Sequence, residues 1–195
     1  MSQDKPSRLD VYLQEYDKLK DEQTSRIGFR DNLLYVTLIT IGGVLSFAFA
    51  NDSGYKLYAL LTVPWICVVL GWNYVVNDEK ISSISMYLEE YLAVQIQDDI
   101  SASPLSSQQH LNSVFLGWEF FRKNKNVERR KRRKIEQLVV DEMVFFIPGL
   151  TSLVAVLKLI PSLPIPIYVL CSIELAMVLV LGIEIIIYSG LGKNS

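Results

Sequence analysis

The chain is poor in the residues that build metal and redox sites: its 195 residues include one histidine and two cysteines. The histidine, His110, has no second imidazole to share a metal with. Cys67 and Cys171 each sit inside an apolar run with no paired spacing, so they read as small apolar side chains. No nucleophile-and-base or metal-ligand spacing appears, so no catalytic residue, metal or cofactor is expected and the chain reads as non-enzymatic. Ten glycines and seven prolines, with no repeat, exclude a collagen-like or linker-like chain. A formal net charge of −2 offers no overall field to steer a charged partner. A secretory leader is not expected, since residues 1–31 are polar, and Met1-Ser2 is not a myristoylation start.

What the chain has is long apolar runs. Averages of 50% apolar and 21% charged residues would suit an ordinary soluble domain, but the mean hydropathy of +0.26 points to an uneven distribution. Four runs, 32–50, 57–76, 143–160 and 165–188, are almost free of charge. Of 19 Lys/Arg and 21 Asp/Glu, only Lys158, Glu174 and Glu184 fall within them. A hydrocarbon core about 30 Å thick needs about 20 apolar helical residues. Each run meets that length, and too little chain remains to cover four such helices in a soluble domain. The polar turn Asn51-Asp52-Ser53-Gly54 and the proline-rich Pro161-Ser162-Leu163-Pro164 join the runs pairwise. The expected fold is therefore all-α and polytopic: four transmembrane helices in two hairpins plus a cytoplasmic helical stalk. Its parts are a cytoplasmic amphipathic helix (1–31), hairpin 1 (32–76), a cytoplasmic helical segment with a basic run (77–142), hairpin 2 (143–188) and a tail (189–195).

Cation placement orients the spans. Lys18, Lys20, Arg26, Arg30, Lys80, the run Arg122–Lys134 and Lys193 fall on one side, and Lys56 on the other. Positive-inside reasoning places both termini and the middle segment in the cytoplasm. Leu9, Tyr12, Tyr16 and Leu19 recur at coiled-coil spacing, as do Ile81, Ile84, Leu88, Tyr91 or Leu92, and Ile96. The two seams can cover each other within one subunit or engage other subunits or a cytoplasmic protein partner. Gln97-Asp98-Asp99 and Ser101-Ala102-Ser103-Pro104 mark a break, and a third helix is expected from Ser106 or Ser107 with Leu111, Val114, Phe115, Trp118 and Phe121 on one face. The cations Arg129, Arg130, Lys131, Arg132, Arg133 and Lys134 are consecutive and surround a helix on all sides. Just before a span, such a run suits anionic lipid headgroups, at about 1 kcal/mol per cation; nucleic acid is not the expected partner.

Within the spans, Glu174 lies near mid-depth and is the costliest charge in the chain. It can be protonated and hydrogen-bonded inside the bundle, pair with Lys158 across the hairpin, or join Asn73, Thr151 and Ser152 in a polar lining. Glu184 lies close to the cytoplasmic end. Gly42-Gly43, Ser46 and Ala50 form a small-xxx-small stripe that permits close helix approach, within the hairpin or between subunits of a homo-oligomer. Pro64 and Pro148 predict kinks or gaps, and Tyr35, Trp65, Trp72 and Tyr74 suit interfacial belts. At the inner face, an interfacial clasp is expected to pair Arg30 with Asp78 or Glu79, and Asp31 with Lys80.

The order of elements over residues 8–97, with Arg26-Ile27-Gly28-Phe29-Arg30-Asp31-Asn32 entering a tight two-span hairpin between helices, resembles SLATT-type small bacterial membrane proteins. The resemblance implies a membrane-perturbing or pore-forming effector of bacterial conflict, triggered by a partner or nucleotide sensor. The second hairpin and the basic run depart from that layout. A membrane anchor for a cytoplasmic complex and a small ion or proton transporter using Glu174 are the alternatives.

Overall fold

The structure, a computed structural model, describes residues 8–50, 54–102, 127–160 and 163–188. All regular structure among the described residues is helical. Helix α1 is Arg8–Phe49, followed by a 3-10 segment, Gly54–Leu61. Then come α2 (Thr62–Tyr87), a π-helical turn (Leu88–Leu92) and α3 (Ala93–Ala102). After the undescribed 103–126 follow α4 (Val127–Asp141), a second π turn (Glu142–Phe146), α5 (Ile147–Leu159) and α6 (Ile165–Tyr188). Helix α1 runs without interruption through the expected join between the segment 1–31 and the span from 32. Nor does the chain break at Gln97-Asp98-Asp99: α3 continues through them to Ala102, the last described residue before 127. The expected third helix with its Trp118 face lies outside the described residues, as do Asn51–Ser53, Pro161-Ser162 and the tail.

The chain divides into two compact units. One comprises Met1–Gly28 with Asp78–Arg130, the other Phe29–Asn77 with Lys131–Ser195. In the first, Leu88, Leu92 and Ile96 are buried against Leu9, Tyr12, Leu13, Tyr16, Leu19 and Ile84. Leu92 rather than Tyr91 takes the seam position, the tyrosine being 54% exposed. The Tyr87 hydroxyl donates to Glu15 Oε1 at 2.8 Å, and Gln23 Nε2 donates to the Ile81 carbonyl at 3.5 Å. Numbers rise along one strand of the pair as they fall along the other, so the helices run antiparallel.

The π turn follows from the spacing of that seam. Ile84, Leu88, Leu92 and Ile96 are each four residues apart, and an α-helix overshoots by about 40° at every such step. A locally wider turn cancels part of the drift and keeps Leu88, Leu92 and Ile96 on one face.

The second unit is built of layered apolar clusters. One holds Ala48, Leu60, Leu61, Leu153, Val156, Leu163 and Cys171. Ile41, Val63 and Cys67 form another, and Leu33, Tyr74, Val144, Phe145, Leu181 and Ile185 a third. Three glycines let the helices close up. A Cβ on Gly71 would meet Leu181 Cδ2 at 2.8 Å and the Phe145 ring at 3.2 Å. One on Gly149 would meet Val178 at 3.1 Å, and one on Gly182 the Phe146 ring at 2.7 Å. The expected packing stripe behaves differently: a Cβ on Gly42 or Gly43 would meet nothing within 4 Å, and Ser46 is exposed beside them. The stripe is thus not used for packing within this unit.

Pro148 accounts for the second π turn. Its ring would clash with the Val144 carbonyl in a regular α-helix, and its nitrogen has no hydrogen to donate. The chain widens at Glu142–Phe146 instead. Pro64 falls in the first turn of α2, where proline is tolerated, so no kink is required there. The outside of the unit is strongly apolar, with Ile39 74% and Ile165 79% exposed. Several polar side chains bond back onto their own helix: Thr37 to the Leu33 carbonyl at 2.7 Å, Thr40 to Val36 at 2.7 Å and Ser172 to Tyr168 at 2.8 Å. Such pairing leaves few side-chain groups that require water. Four helices are long and apolar enough to cross a membrane: Arg8–Phe49, Lys56–Ile96, Ile135–Leu159 and Ile165–Ile187.

Candidate functional site

Helix α6 carries Glu174 one turn beyond Cys171, whose side chain is buried with Leu60, Leu153 and Val156. One turn further on, Val178 packs at Gly149. Between these apolar layers Glu174 is fully enclosed, at 0% exposure, and neither carboxyl oxygen has a hydrogen-bond partner. The Trp65 indole N–H on α2 is the polar group that approaches it, without completing a hydrogen bond.

The expected companions of Glu174 lie elsewhere. Lys158, near the end of α5, is exposed. Asn73 is also exposed and donates to the Val69 carbonyl of its own helix at 2.8 Å. Neither a Glu174–Lys158 ion pair nor a lining shared by Glu174, Lys158 and Asn73 forms. Run depth identifies the acid, but partnership depends on which way each helix faces, and the three side chains face differently. Ser152 is buried and its hydroxyl donates to the Gly149 carbonyl at 2.9 Å. Thr151, exposed, donates to Ile147 at 2.9 Å. Glu184 is half-buried.

A second polar cluster closes the same unit near Asn77. Tyr74 is buried at 4% exposure, which corrects its expected place in an interfacial belt; Tyr35, Trp65 and Trp72 are exposed. The Tyr74 ring lies 5.2 Å from that of Phe145. Its hydroxyl engages the buried Asp141 and accepts a long hydrogen bond from Gln137 Nε2 at 3.5 Å, with the Arg30 charge close enough to act on it. No spacing announces this cluster, since an acid at the end of an apolar run reads as solvated whether or not another helix covers it.

At the expected clasp, Arg30 pairs with its neighbour Asp31 at 3.3 Å. Glu79 and Lys80 are exposed, and Asp78 is half-buried. In the basic run, Arg132 is on the surface of α4 and its Nε meets Glu136 at 2.9 Å, an exposed pair worth little in water. The backbone of Arg129, Arg130, Lys131, Arg133 and Lys134 is helical, and their side chains lie outside the description. An apolar groove of about 220 Å³ runs along Ile41, Leu45, Phe49, Leu60, Val63 and Pro148. No group of three or more His, Cys, Asp or Glu placed to hold a metal occurs among the described residues. No known family, characterised protein or solved structure matches the chain.

Proposed function

We propose that the chain is a multi-pass, non-enzymatic protein of the bacterial inner membrane whose copies associate through α1 to perturb or perforate the bilayer. In this reading the four apolar helices span as two hairpins, both termini are cytoplasmic, and the unit built on Leu88, Leu92 and Ile96 is a cytoplasmic stalk that receives a signal. The carrying observation is the outward stripe Gly42, Gly43 and Ser46, where an added Cβ at either glycine would meet open space. In the most apolar window of α1 only 22% of residues are buried, against 33% or 39% in the other three helices. In lipid, helices gain little from hydrophobicity when they associate, so faces of small residues are where backbones approach closely. The basic run on α4 suits anionic headgroups at the inner face.

Light scattering of the full chain in detergent, paired with dye release from anionic liposomes, tests this. A defined oligomer that leaks dye, with both weakened by Gly43→Leu, is the expected result. A monomer in sealed liposomes overturns it and favours a membrane anchor for a cytoplasmic complex. The exposed apolar side chains of the stalk unit, Val11, Met86, Tyr91 and Val94, are the surface such a complex would use.

A further inference from the structure

The geometry points to Glu174 as a buried proton-binding site: the closed bundle holds this carboxyl as the neutral acid and gives up its proton only when water reaches it. The inference does not depend on whether the protein forms a pore.

An ionised carboxylate without a partner is far too costly to enclose in an apolar interior, whereas a neutral carboxyl costs a few kcal/mol at most. Glu174 is fully enclosed and both its oxygens lack partners. The elements around it supply no compensating charge. From α2 come the Trp65 indole, 44% exposed, and the buried thiol of Cys67. On α6 the Cys171 thiol lies one turn earlier, and Glu184, ten residues on, is half-buried. α5 offers Ser152, whose hydroxyl is committed to Gly149, and its one cation, Lys158, is exposed. α1 presents Ile41, Val44 and Ala48 to the core, none of them titratable. A bound metal cation would need several ligands, and no group of three or more His, Cys, Asp or Glu placed to hold one occurs among the described residues.

The consequence is a proton count. The closed bundle carries one proton that an opened, hydrated bundle releases at neutral pH, since an exposed glutamate titrates near about 4.3. Raising the pH above that range therefore favours opening, by up to about tenfold per pH unit for one proton.

Infrared spectroscopy of the full chain in phospholipid vesicles, with carbon-13-labelled glutamate, tests the proposal. A protonated-carboxyl C=O band at neutral pH that disappears in Glu174→Gln is the expected result. Its absence from the unmodified protein, or its survival in the variant, overturns the proposal. Loss of the band on adding sodium chloride overturns it too, in favour of a cation site. Glutamine matches the neutral acid in shape, so Glu174→Gln should fold. Its unfolding equilibrium should lose the pH slope between about 5 and 8 that the unmodified chain shows. Equal slopes in the two proteins would also overturn the assignment.

Discussion

Two sets of small residues in the bundle have opposite environments. Gly71, Gly149 and Gly182 are filled from across the interface by Leu181 and Phe145, Val178, and Phe146. Gly42 and Gly43 face open space along with Ser46. The first set is consumed in holding α2, α5 and α6 together. The second is conspicuous in sequence because it repeats, yet it contributes nothing to that unit's packing. A regular small-residue stripe is therefore no guide to packing within the folded unit.

Substitutions break or sharpen this contrast. The largest effect is expected from Phe145→Ala, which empties the notch at Gly71. The side chain is fully buried, and about 3 kcal/mol should be lost, the low end of the usual range because lipid shrinks the transfer part and leaves the cavity part. Denaturant titration of the full chain in mixed micelles reads it. Gly71→Ala does the reverse, adding a methyl 2.8 Å from Leu181 Cδ2 and 3.2 Å from the Phe145 ring. A loss of about 1–3 kcal/mol is expected in the same assay. Gly43→Leu should leave that stability within about 0.5 kcal/mol. Its effect should appear in the association constant, weakened about tenfold, equivalent to ~1.4 kcal/mol, by sedimentation equilibrium. Equal effects of Gly43→Leu and Gly71→Ala on monomer stability would erase the distinction.

The smallest effect belongs to the other unit. The Glu15 carboxylate accepts the Tyr87 hydroxyl, and this hydrogen bond raises that phenol above its ordinary value of 10.0. The stabilisation is complete below that value and is lost as the pH rises through the higher folded value. Tyr87→Phe should flatten the alkaline limb of a thermal-unfolding profile slightly, because the pair is exposed.

Some of this was legible in the chain and some was not, for physical reasons. Run length and charge exclusion identify the four apolar helices because hydropathy needs no knowledge of neighbours. The antiparallel seam of Leu9, Tyr12, Tyr16 and Leu19 with Leu88, Leu92 and Ile96 follows from spacing. The choice of Leu92 over Tyr91 needs the wide turn that precedes α3. Depth along its run singles out Glu174. That Lys158 and Asn73 stand apart from it depends on how each helix is rotated, which depth does not report. Tyr74 misled for the same reason: a residue at a run's end looks interfacial unless the partner that buries it is known. Gly71, Gly149 and Gly182 carry no repeat and so gave no signal.

The wide turn at Glu142–Phe146 also sets a phase. It inserts the equivalent of one residue between α4 and α5, so the angular position of Arg132 relative to the Phe145 face is offset by about 100° from that of an unbroken helix. Pro148 maintains the offset from outside the turn. The azimuth of Arg132 is thereby indexed to a proline in the apolar bundle, and shortening the turn by one residue would re-aim that charge without altering it.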